Sequence, residues 1–107
     1  MMTNLKEETL QALKDCGKTI EDVLWIGDGK VRFPINAFLK AADRLYDNGY
    51  GGQEVDANLV IVGDNWWLER AEYDGSEWWD FKRPPCEPVC IKEDVCGCDI
   101  FYQSFGI

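Results

Sequence analysis

The stretch WWLERAEYDGSEWW, residues 66–79, constrains this chain more than any other. Four of its five tryptophans stand there, in two doublets around Asp74-Gly75. Asp-Gly between apolar-rich runs marks a two-residue hairpin turn, because both turn residues take a positive φ. Side chains alternate across a strand, so each doublet sends one ring to each face. One face can be core, and the other needs a separate explanation.

Register decides which rings share a face. A two-residue turn sets Trp79 and Phe81 beside Trp66 and Leu68. A three-residue turn with Gly75 left-handed would set them beside Trp67 and Ala71. The first is preferred, because it gathers four large apolar residues as core. The opposite face then carries Trp67, Tyr73 and Trp78 among Glu69, Asp80 and Lys82.

Tryptophan and tyrosine ringed by charge dominate binding hot spots. Residues 64–80 also hold Asp64, Glu69, Glu72, Asp74, Glu77 and Asp80 against a single Arg70. Trp67, Tyr73 and Trp78 are therefore candidate anchors for a partner protein. Glu69, Glu72, Glu77 and Asp80 are candidates to steer and pair with its basic groups. The competing reading has the C-terminal tail or a helix folded over these rings, since large exposed aromatic patches are rare in monomers. Glu69 and Asp80 could also form a glycosidase-like acid–base pair, but 107 residues leave little room for a sugar cleft.

Charge narrows the partner. Eleven Lys and Arg against twenty Asp and Glu give a net −9. That excess opposes direct binding to nucleic acid and to anionic membranes, both of which select cations. It suits a basic or nucleic-acid-binding protein, or plain solubility. Histidine is absent, which removes the commonest general base and metal ligand. A non-enzymatic role is expected. No apolar run is long enough for a membrane span, and the N-terminus lacks a signal-peptide layout, so a cytoplasmic location is expected.

The remaining segments fill in an α+β plan. Asn4 with Glu7 reads as a capping box, followed by a stripe of Leu5, Leu10, Leu13 and Cys16 ended by Gly17. Thr19 and Asp22 can cap one further turn. Residues 23–33 read as a hairpin about Asp28-Gly29. Pro34 opens a second helix, with Ile35, Phe38, Leu39, Ala42, Leu45 and Tyr46 at helical spacing. Residues 58–62, NLVIV, read as a buried central strand. The predicted order is α-β-β-α-β-β-β, an antiparallel sheet with two helices packed on one face. Residues 1–83 form this domain and 84–107 an irregular Pro- and Cys-rich tail.

In that tail, Cys86, Cys90, Cys96 and Cys98 lie within thirteen residues, at a spacing that can surround one zinc ion. The spacing departs from paired C-x₂-C knuckles, so redox work by the Cys-Gly-Cys dithiol and plain reduced thiols stay open, while two disulfides are disfavoured in a cytoplasmic protein. The apolar end, residues 100–107, could dock back on the domain and cover the second hairpin face. A small zinc-binding accessory protein is the alternative to the interaction reading.

From EDVLWIGDGKVRF to VGDNWWLERAEYDGSEWWDFKRPP, roughly residues 19–85, the chain resembles small acidic proteins of phages and prophages of Gram-positive, often gut, bacteria. WWLERAEYDGSEWWDFK carries the likeness most strongly, and the cysteine tail is not part of it. The resemblance implies a setting rather than a mechanism. Small acidic phage proteins include inhibitors of host defence, such as anti-CRISPR proteins, several of which present carboxylates to nucleic-acid grooves.

Overall fold

The computed structural model describes residues 2–49 and 52–101. Its architecture is α+β, built on a five-stranded antiparallel sheet. In chain order the elements are β1 (Met2–Asn4), α1 (Leu5–Asp15), β2 (Val23–Gly27), β3 (Arg32–Phe33) and α2 (Ile35–Ala42). They continue with β4 (Leu45–Asp47), β5 (Val60–Gly63), β6 (Trp66–Tyr73), β7 (Ser76–Lys82) and α3 (Gly97–Ile100). The main sheet runs β3-β2-β5-β6-β7, and β1 and β4 pair as a separate ribbon.

Local chemistry explains the ends of α1. The Asn4 side chain accepts the Glu7 N–H at 3.0 Å. At the other end Gly17 takes φ 75°. Gly17 N–H donates to Lys14 O at 3.0 Å and Lys18 N–H to Leu13 O at 2.8 Å, which is a Schellman closure. The buried stripe differs from the predicted one, since Thr9 is shut off from solvent while Leu10 is exposed. Burying Thr9 leaves no orphan polar atom. Its hydroxyl donates to Leu5 O at 2.7 Å and accepts the Trp79 Nε1–H at 2.9 Å.

The helical spacing of residues 35–46 misleads past Ala42. Helix α2 stops there, and Leu45–Asp47 becomes β4, antiparallel to β1 with Tyr46 opposite Thr3. The pairing segment is remote in sequence, so periodicity cannot reveal it. Tyr46 is buried while Leu45 is exposed, the alternation of a strand.

Two further expectations are corrected. The first hairpin does not turn on two residues. Gly27 pairs with Arg32, leaving a four-residue loop. The Asp28 carboxylate closes this loop by accepting the Lys30 and Val31 N–H groups at 2.9 and 3.0 Å. Those Val31 and Lys30 bonds hold its carboxyl below the ordinary carboxylate range. The NLVIV strand is central as predicted but buried on one face only: Ile61 is fully enclosed, while Val60 and Val62 are half-exposed.

The one-sided burial follows from the helices. Leu13 of α1 and Phe38 and Ala42 of α2 join one core cluster with Ile26, Ile61 and Leu68 of the sheet. Both helices thus lie on the same face. Gly63 completes that face, because a Cβ there would stand 2.1 Å from the Trp66 ring.

Candidate functional site

The β6–β7 hairpin has the preferred register. Tyr73 pairs with Ser76, Arg70 with Trp79 and Leu68 with Phe81, around the two residues Asp74 and Gly75. Both take positive φ, 53° and 88°. Each doublet splits as alternation requires. Trp66 and Trp79 are buried, whereas Trp67 is half-buried and Trp78 is 43% exposed. The Trp66 and Phe81 rings stack at 6.0 Å on the core side.

On the other side, successive cross-strand pairs are Trp67 with Lys82, Glu69 with Asp80, and Ala71 with Trp78. Same-face residues along a strand are about 7 Å apart, so a carboxylate pair lies between two indole rings. Like charges placed opposite each other across a ladder repel. Here each carboxylate has a local partner. Trp67 Nε1–H donates to Glu69 at 2.9 Å, and Lys82 Nζ lies 3.3 Å from Asp80. Tyr73 continues the face at the hairpin tip and is 77% exposed.

The patch extends beyond the hairpin. Trp67 pairs with Val62, and Val62 with Trp25. Trp25 therefore joins the aromatic face through β5. Sequence reasoning missed it, because only the strand order β2-β5-β6 brings it there. The sequence carried no signal for it, because Trp25 stands among the apolar residues Val23, Leu24 and Ile26 and nothing local says which strand lies alongside.

Two carboxylates fall elsewhere. Glu77 was expected to steer a partner, but it is 1% exposed and on the core face. It pairs with Arg70 Nη2 at 2.9 Å and accepts the Glu54 and Val55 N–H groups at 2.7 and 3.2 Å. A carboxylate with a guanidinium and two amides around it is satisfied internally and unavailable to a ligand. Glu72 is exposed, yet its carboxylate accepts the Gly75 N–H at 3.1 Å and so braces the turn.

The Arg70 cluster ties the hairpin to the rest of the domain. Its guanidinium also lies 3.1 Å from Glu8 and 3.2 Å from the Tyr46 hydroxyl, and 4.7 Å from the Trp79 ring centroid. The Tyr46 hydroxyl donates in turn to Glu8. Burial opposes the Arg70 charge, but the bonds to Tyr46 and Glu77 and the charge of Glu8 hold its pKa up. Burial, then the hydrogen bond to Glu8, pushes the Tyr46 phenol up to about 12.

The tail stands apart. Every described residue from 82 to 101 is exposed. The proposed cover for the outer face falls partly on residues 102–107, which lie outside the described residues; Ile100 and Phe101 are exposed. Of the four tail thiols, Cys96 and Cys98 cluster with Asp99, their ligand atoms all within 4.8 Å of one another. Cys86 and Cys90 belong to no such group among the described residues.

Open hollows of about 270 and 370 Å³ lie beside Tyr46 and beside Trp25. Glu69 and Asp80 line neither of them. No helix among the described residues is long and apolar enough to cross a membrane. Comparison with family models, with curated proteins and with solved structures yields no match.

Proposed function

We propose that this chain is a non-enzymatic binding protein of phage or prophage type, acting in the host cytoplasm as an inhibitor of a basic, nucleic-acid-handling or defence protein. One observation carries the reading: the carboxylate pair Glu69–Asp80 lies between Trp67 and Trp78 on the sheet face that the two longer helices leave open. A Lys or Arg of a partner placed there has two carboxylates and two indole rings around it. Ion pairing and cation–π attraction then act on one group. Tyr73 and Trp25 widen the contact on either side. The net −9 steers a basic protein toward the face and repels nucleic acid itself.

The test uses the full chain. Nuclease-treated lysate of a Gram-positive host is passed over wild type, Trp67→Ala/Trp78→Ala and Glu69→Gln/Asp80→Asn. The retained protein is purified and titrated against each. The expected result is one basic protein, bound more weakly at high salt and lost with both variants. Equal retention by all three removes this face from any role. A wild-type dimer that both variants dissolve would reassign it to self-association.

A further inference from the structure

The tail holds a second chemistry, independent of the sheet face. Cys96, Cys98 and Asp99 bring two thiols and one carboxylate within 4.8 Å of one another, all exposed. We propose that these three residues bind a single thiophilic divalent cation of the zinc class. Zinc takes thiolates at about 2.3 Å and carboxylate oxygens at about 2.0–2.2 Å. Donors within 4.8 Å of one another stand near the separation at which ligands share one ion of this class.

The carboxylate is positioned in advance. Asp99 accepts the Cys96 N–H at 3.0 Å and pairs with Lys92 Nζ at 2.7 Å. Its orientation beside Cys96 is thus set by the backbone, and Lys92 must yield as the ion arrives. The ligand set differs from a four-thiolate site, because Cys86 and Cys90 stand outside the cluster. Three protein ligands leave the fourth position of a tetrahedral ion open to solvent or to an outside donor.

The reduced full-length protein is titrated with zinc against a chromogenic chelator, and with cobalt to count thiolates by their charge-transfer absorbance. One ion per chain is expected, with the cobalt signal of two thiolates. Cys96→Ser, Cys98→Ser and Asp99→Asn should each weaken zinc binding at least tenfold. Cys86→Ser/Cys90→Ser should change it less than threefold. Near-ultraviolet circular dichroism of the tryptophans verifies that each variant keeps its fold. Absence of stoichiometric zinc, a four-thiolate cobalt spectrum, or an Asp99→Asn variant that binds like wild type would each overturn the assignment.

Discussion

Arg70 and Glu77 form an ion pair at 2.9 Å with both side chains closed off from solvent. Arg70 sits in β6, seven residues before Glu77 in β7, and the pair lies beneath the hairpin tip. It also anchors loop and ribbon. Glu77 accepts the Glu54 and Val55 N–H groups, and its own N–H donates to Asn48 Oδ1 at 2.7 Å. Removing one partner of a buried pair strands the other charge. Glu77→Ala is therefore expected to cost about 3–5 kcal/mol, read from urea unfolding. A loss under about 1 kcal/mol would mean that Glu8 and solvent satisfy Arg70 by themselves.

The two tryptophans of the second doublet should behave oppositely. Trp79 packs in the core and donates to Thr9 Oγ1, whereas Trp78 faces outward opposite Ala71. Trp79→Ala is expected to cost about 3–5 kcal/mol and Trp78→Ala less than about 1 kcal/mol. Urea midpoints of the two single variants measure this difference. Equal losses would mean that the register slips in solution.

Glu69 and Asp80 face each other across the β6–β7 ladder, and like charges so placed repel. Glu69→Gln keeps the acceptor for Trp67 and removes the repulsion. Stability is expected to rise by about 0.2–1 kcal/mol while partner binding falls. Measuring unfolding and binding on the same preparation separates the two effects. A variant that gains neither stability nor loses binding would leave the facing carboxylates without a function.

Alkaline unfolding should report on Tyr46. Its phenol is raised to about 12 by burial and by Glu8, so the fold holds the neutral form. That contribution is complete below the ordinary tyrosine value near ~10 and is lost as pH rises through the folded value. Wild-type stability should therefore fall between about pH 10 and 12, and Tyr46→Phe should lack that part of the slope. Urea unfolding across this range, with tyrosinate absorbance as a second signal, checks it.

Gly63 should not tolerate a methyl group. The added Cβ would meet the Trp66 ring at 2.1 Å, far inside contact distance. Gly63→Ala is expected to cost about 1–3 kcal/mol through overpacking and to shift tryptophan fluorescence. An unchanged midpoint would show that the ring moves freely aside.

What the sequence determined by itself was local. Asp74-Gly75 demands two positive φ values, and that turn sets the register from Tyr73–Ser76 to Trp67–Lys82. The split of both doublets, the rings facing outward and the Glu69–Asp80 pair all follow from it. The Asn4 cap and the Gly17 end of α1 were legible for the same reason, since donor and acceptor lie within a few residues, although only the Asn4 half of the expected capping box forms. The tertiary structure decided whatever depended on distant partners. Glu77 looked like one more surface acid until Arg70, Asn48 and the 54–55 backbone enclosed it. Tyr46 kept helical spacing, yet pairing with β1 drew it into a strand and into contact with Glu8. Trp25 joined the outer face only because β5 lies between its strand and β6. Turn geometry is set by the φ and ψ of adjacent residues. Burial of a charge is set by whichever segments close around it, and those are chosen by the whole chain.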